Sequence, residues 1–208
     1  MRHSHAVHDG VRRIQTAAMK TTLRLFVAVP VPDPVARFLK DIRGRLETPE
    51  MNIRWAPVKN IHLTLQFLGD VETAAVASIT DQMDAAAGAV APFSIAAKGV
   101  GGFPTLRRFR ILWVGLDDEK QHLTAIQSAL ASRLETIGFT RERRRFHPHL
   151  TIGRARQPID GRRLGQRLPT LADCSSEPLP VDRICLFASQ LKPGGADYTC
   201  LHTSHLAG

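Results

Sequence analysis

The 208-residue chain has no apolar run approaching the roughly 18 residues that a membrane-crossing helix requires, which excludes a helical membrane protein. It also lacks the pattern of a secretory signal: the basic start at Arg2, Arg12 and Arg13 leads to Met19–Thr22, which interrupts before the short Leu23–Val29 run. Cysteine is scarce and unpaired in pattern. Cys174, Cys185 and Cys200 are odd in number and widely spaced, which favours a reducing compartment over a disulfide framework or a thiol nucleophile. There is no P-loop, no G-x-G-x-x-G, no H-E-x-x-H and no zinc-finger spacing, so the commonest nucleotide and metal motifs are missing.

What is present is an ordinary globular composition, 43% hydrophobic and 23% charged, enough apolar residues for a core and too many for a disordered chain. The net charge of +9 points to a polyanionic partner, because summed positive charge steers phosphates before any specific contact forms. Its distribution is uneven. Between Arg141 and Arg167 stand nine arginines against Glu142 and Asp160, a local net of +7. The planar fork of arginine suits phosphate; the plainer reading is solvated surface charge.

Residues 1–20, with His3, His5 and His8 and no periodicity, read as a disordered leader or as sequence upstream of a start at Met19; one bilobal domain is expected over 21–206. Leu23–Val29 alternates as a strand. Asp33-Pro34 then predicts a capped helix start, with Val35, Phe38, Leu39, Ile42 and Leu46 at helical spacing. Ile53–Trp55 reads as extended and Ile61–Leu68 as a strand, followed by a helix through Val76, Ile79 and Met83. Phe93–Ala97 and Phe109–Leu116 read as strands around a glycine-rich loop from Gly99 to Pro104. A helix is expected over 118–137 with Gly138 as its stop, then a strand at Leu150–Arg154, a short helix at 160–167 and closing strands at 179–189 and 197–205. Strand pairs mixed with helices predict an α+β fold with antiparallel sheets rather than a doubly wound one.

The triplet His-Leu-Thr occurs three times, as His62–Thr64, His122–Thr124 and His149–Thr151. In a strand, residues i and i+2 share a face about 7 Å apart, so an imidazole and a hydroxyl can converge on one ligand. In a helix the same two residues are turned by roughly 200° from each other, and the His122 copy falls inside the expected helix. The other two copies sit in strands, 87 residues apart, with Leu63, Leu65, Leu150 and Ile152 between the polar positions. Two similar halves, each giving one His-x-Thr strand to a shared cleft, is the simplest construction. Chemically, two imidazoles titrating near neutrality supply a general base toward water and a general acid toward a departing alkoxide, and two hydroxyls donate to non-bridging phosphate oxygens. Arg154 adds a charge-assisted contact if its side chain turns back to the cleft. The plainer reading makes both histidines core residues bonded to backbone.

These residues resemble the two-histidine phosphoesterases with paired H-x-T-x motifs, and within them the RNA 2′,3′-cyclic phosphodiesterases, also called 2′-5′ RNA ligase-like proteins. The resemblance runs from Leu23 to about Leu201. It includes Arg24–Ala28, Arg54-Trp55, His62–Gly69, Gly102-Phe103-Pro104, Leu112–Gly115, Phe146–Arg154, Ser189–Leu191, Gly194 and Tyr198. It implies a bilobal α+β fold, two pseudo-symmetric antiparallel sheets with flanking helices around a central cleft. The activity implied is hydrolysis of an RNA 2′,3′-cyclic phosphate end to a 2′-phosphomonoester, with no metal and no cofactor. By the same resemblance His62 is the proton donor and His149 the proton acceptor, and Thr64, Thr151 and Arg154 bind phosphate. Phe26, Phe103, Tyr198 and Trp55 are candidates to stack on a base, against core packing. His147 is expected beside the site or in solvent, because Pro148 disturbs the strand. The expected partner is RNA with a cyclic end, tRNA-derived ends included, handled by a monomer in the cytoplasm without a membrane. Two alternatives stay open: 2′-5′ ligation or cleavage, which needs no nucleotide cofactor, and an RNA-binding module in which the histidines are incidental.

Overall fold

In the computed structural model, residues 22–193 and 195–208 are described; the expected leader and Gly194 lie outside them. The elements run β1 (Thr22–Pro30), α1 (Asp33–Leu46), β2 (Arg54–Trp55), β3 (His62–Glu72), α2 (Val76–Ala87), β4 (Phe93–Thr105) and β5 (Arg108–Asp117). They continue with α3 (His122–Glu135), β6 (His149–Asp160), α4 (Arg162–Gly165), β7 (Leu179–Val181), β8 (Arg183–Lys192) and β9 (Gly195–His205). Strand order is β7-β4-β5-β6-β3-β1-β8-β9, with β2 on β6, and every pairing is antiparallel.

The expected α+β class and two-lobed division are both visible in this order. One lobe is β9-β8-β1-β3 and the other β6-β5-β4-β7, and between them only Leu63 and Leu150 are paired. Both leucines are fully buried. Beneath them lies a core that α1 feeds with Val35, Leu39, Ile42 and Leu46, α2 with Ile79 and Met83, and α3 with Leu123, Ile126, Leu130 and Leu134. His202 on β9 bonds Asp84 of α2 at 2.8 Å, tying helix to sheet.

Three local expectations are corrected. Asp33 is not the cap of α1: Pro32, extended at φ −75°, precedes the first turn and its carbonyl accepts from Ala36 N, so Asp33 is the first helical residue, where its charge favours the helix dipole. The helix expected from 118 starts at His122, because the Asp118 carboxylate accepts from both His122 N and Leu123 N at 2.9 Å while Gln121 turns left-handed at φ 57°. Its end is as expected, with Gly138 at φ +95°. The glycine-rich stretch from Gly99 to Pro104 is not a loop but the middle of β4. A Cβ on Gly101 would stand 2.1 Å from the Trp113 ring, and one on Gly102 would stand 2.8 Å from Phe109, so the glycines let β5 side chains lie flat on the β4 backbone.

Candidate active site

The single pair Leu63–Leu150 sets the geometry of the cleft. Because both leucines point into the core, their neighbours on β3 and β6 point out of the other face. One step along the antiparallel register in either direction sets His62 beside Thr151 and Thr64 beside His149, on strands about 5 Å apart. All four half-buried side chains line one cleft of about 490 Å³, shared by the two lobes. The third triplet behaves differently: His122 opens α3, packed on Phe93, away from this cleft.

Both histidines are held by one device. His62 Nδ1 lies 2.8 Å from the carbonyl of Asn60, and His149 Nδ1 lies 2.6 Å from the carbonyl of His147. A carbonyl only accepts, so each Nδ1 carries the proton and each Nε2 is left for the cleft, as a base when the ring is neutral and as a donor when it is protonated. The pKa of His62 is lowered from 6.5, first by burial and then by the Arg154 and His149 charges, against the opposing bond to Asn60. That of His149 is lowered likewise, first by burial, then by His147 and Arg154.

A strict two-residue alternation would turn the fifth residue after each histidine away from the cleft. Both strands break that alternation at the same motif position. Leu65 is an extra residue opposite Val27-Ala28, and Ile152 is an extra residue opposite Leu112-Trp113. Each is a one-residue bulge, which shifts the following side chains to the other face. Phe67 and Arg154 thereby join the cleft lining, so Arg154 does turn back toward the histidines.

The aromatic candidates separate. Phe26 is 3% exposed and already lies against the His62 ring, centroids 4.6 Å apart, with Phe187 on it at 5.4 Å. It is a floor under His62 and has no face left for a base, which corrects the stacking expectation. Tyr198 lines the cleft and meets His62 edge-on at 5.3 Å. Phe103 is set edge-on to His149 at 5.0 Å and beside Trp113, outside the cleft lining, so it too is part of a histidine's seat. Trp55 packs over Gly153 with Arg43 above its ring. The exposed aromatic is Phe67, at 68%. Phe67 stands where the second motif has Arg154, as the sequence implied; Arg24, Arg54 and Asn60, which also line the cleft, were given no role from the sequence. Asn60 and His147 share one signal, the position two before a motif histidine. The three cysteines are free, and burial pushes Cys185 up to about 11, far from a reactive thiolate.

Two lobes that meet at one residue pair and turn matched His-x-Thr strands to a common cleft define a two-histidine phosphoesterase architecture. The chain belongs to the 2′-5′ RNA ligase superfamily, whose family model matches residues 31–192. It is 27% identical to the RNA 2′,3′-cyclic phosphodiesterase of Methanothermobacter thermautotrophicus over 88% of this chain and 99% of that protein. With the protein of the same name from Aquifex aeolicus it shares 30% identity over 89% and 98%. Among solved structures, TT0787 of Thermus thermophilus matches with a TM-score of 0.74 at 25% identity, covering 89% of this chain and 99% of that one. Escherichia coli LigT complexed with 3′-AMP shares the fold, with a TM-score of 0.71 over 90% and 100% at 24% identity.

Proposed function

We propose that this cleft hydrolyses RNA 2′,3′-cyclic phosphate ends to 2′-phosphomonoesters by paired histidine acid–base catalysis without a metal ion. The observation that carries the reading is the Leu63–Leu150 pair, which turns two His-x-Thr strands toward one cleft with both imidazole Nε2 atoms free for a ligand. His149 Nε2 takes a proton from water as its oxygen attacks phosphorus. The P–O3′ bond breaks, and His62 Nε2 gives its proton to O3′. The Thr64 and Thr151 hydroxyls donate to the non-bridging oxygens, and Arg154 offsets their charge. The relatives' activity, the fold and the arginine-rich approach all favour RNA as the substrate, with tRNA-derived ends included. Among the described residues no helix is long and apolar enough to cross a membrane; a monomer working in the cytoplasm is part of the same proposal.

The test is incubation in EDTA with an oligoribonucleotide ending in a 2′,3′-cyclic phosphate, beside His62→Ala and His149→Ala. The expected product is the 2′-phosphate, and each variant is expected to lose at least about 10²-fold in rate, the size of one general acid or base. A 3′-phosphate product, or a variant with full activity, sinks the mechanism. RNA binding without turnover, unchanged in both variants, establishes the binding-module alternative instead.

A further inference from the structure

Beyond the reacting phosphate, the cleft holds a second guanidinium that the proposed chemistry leaves unused. Arg54 is one of the two residues of β2, and its Cα is paired directly with that of Arg154 on β6. Like charges set opposite each other on adjacent strands are destabilising unless something neutralises them. Among the described residues neither arginine has a carboxylate within ion-pair distance. Both side chains are exposed, and both line the cleft.

Arg54 is also held in place. Its neighbour Trp55 lies on Gly153 of β6, where an added Cβ would stand 3.2 Å from the ring, and the Arg43 guanidinium sits 5.3 Å above the same ring. The Arg54 guanidinium extends from β2 to the β8–β9 turn of the other lobe. There Nη2 stands 3.0 Å from the place a Cβ would take on Gly195, whose φ of +133° favours glycine. Asn60 Nδ2 donates to the Ala196 carbonyl at 2.7 Å and pins that turn. The result is a cation lining the cleft whose backbone lies three residues along β6 from the Thr151 row, roughly 10 Å at 3.3 Å per residue; of the two paired arginines it is Arg154 whose charge acts on both histidines.

We propose that Arg54, paired across β2 and β6 with Arg154 and seated against Gly195, binds the first internal phosphodiester of the RNA, 5′ to the nucleotide that carries the cyclic phosphate. The inference rests on the hydrolysis reading above and deepens it: Arg154 serves the reacting phosphate, Arg54 the next one, and the site favours oligonucleotide ends over 2′,3′-cyclic mononucleotides. Arg54 is a specificity-determining residue that touches no reacting atom. The cleft is also lined by Phe67 and Leu191, 68% and 77% exposed, and by Arg24, which faces Asp70 across the β1–β3 register and is the alternative cation that the test must separate from Arg54.

The experiment compares kcat/KM on a 2′,3′-cyclic mononucleotide, on a dinucleotide with the same cyclic end, and on that dinucleotide with its internal linkage replaced by a neutral methylphosphonate. The unmodified protein, Arg54→Ala and Arg24→Ala are measured side by side. The expected loss in Arg54→Ala is about tenfold or more greater on the charged dinucleotide than on the mononucleotide, the size of one charge-assisted hydrogen bond. The methylphosphonate should lower the unmodified protein's rate by a similar factor and leave that of Arg54→Ala almost unchanged. Equal losses on both charged substrates, or a methylphosphonate penalty that persists in Arg54→Ala or is abolished by Arg24→Ala, overturns the proposal. If the unmodified protein turns over neither cyclic substrate, the hydrolysis reading itself has failed and takes this inference with it.

Discussion

Replacing Gly101 by alanine tests how far the seat of His149 depends on packing that carries no chemistry of its own. Gly101 is paired in register with Trp113, and the indole lies so flat on its backbone that the new Cβ would meet Cη2 and Cζ2 at 2.1 Å and Cε2 at 2.6 Å. An ordinary contact begins near 3.4 Å, so the ring must retreat by about 1.3 Å. The buried Trp113 Nε1 has no hydrogen-bond partner, so packing alone holds the ring. Phe103, 5.3 Å away, and His147, 4.8 Å away, lie against the ring, and both also contact His149. Overpacking of this kind costs about 1–3 kcal/mol, or roughly 2–12 °C in Tm for a domain of this size. On the proposed mechanism, a displacement of the His149 imidazole on the order of 1 Å lowers kcat/KM by up to about 10²-fold. Calorimetry and turnover of a cyclic-ended oligonucleotide read the two effects. If the clash is the cause, Trp113→Leu costs less stability in the Gly101→Ala background than in the unmodified protein. Wild-type Tm and activity in Gly101→Ala, or additive costs in the double variant, refute the steric account.

Two further expectations concern protons. Because burial, reinforced by Arg154, lowers the pKa of both histidines below 6.5, the pair should give a bell-shaped kcat/KM profile whose alkaline limb falls below pH 6.5; Arg154→Gln should move both limbs to higher pH. A flat profile between about pH 5 and 8 refutes the two-histidine mechanism, and limbs unmoved by Arg154→Gln refute the part given to Arg154. The same lowering makes stability pH-dependent. The unfolded chain takes up these two protons near pH 6.5 and the folded chain only below that, so the stability they contribute is complete above 6.5 and is lost as pH falls from there through the lower folded-state values. Urea denaturation at pH 7.5 and 5.5 should show a smaller drop for the His62→Asn/His149→Asn variant than for the unmodified protein; an equal drop would assign the loss to other groups.

The two motif strands were legible because their apolar positions, Leu63 and Leu150 among them, alternate with the histidines and threonines, and a two-residue period survives without any tertiary information. The helices were legible for the same reason, in the 3.6-residue spacing of their buried faces. Their boundaries were less so, because the Asp118 cap and the Pro32 start depend on local bonds that composition does not reveal. The glycines of β4 looked like a loop because nothing local distinguishes a flexible glycine from one covered by a distant tryptophan. Arg24 and Arg54, though part of the resemblance, were given no role because a charge in a two-residue strand or at a strand's start reads as surface. Only the fold brings both to the cleft that already holds Arg154.

On paper the two motifs are chemically equivalent, and the fold is what makes them unequal. Each places its histidine by a bond to the carbonyl two residues earlier, and each carries a bulge three residues after that histidine, at Leu65 and at Ile152. The matched bulges bring unmatched residues to the cleft, an exposed phenyl ring at Phe67 on one side and a guanidinium at Arg154 on the other. The surroundings diverge in the same way. His62 lies flat on Phe26 within a stack that includes Phe187, while His149 meets Phe103 edge-on and has a second imidazole, His147, beside it. Positive charge on His149 is opposed by burial and then by His147 and Arg154; on His62 it is opposed by burial and then by Arg154 and His149, with an aromatic face beneath the ring. A ring that begins the reaction neutral belongs where cations crowd it, and one that begins protonated belongs over a π face, which favours a cation. The proposed roles, His149 as base and His62 as acid, accord with this asymmetry, and on that proposal Phe26→Leu weakens the acid step more than the base step, lowering the alkaline limb of the pH profile while leaving the acid limb in place.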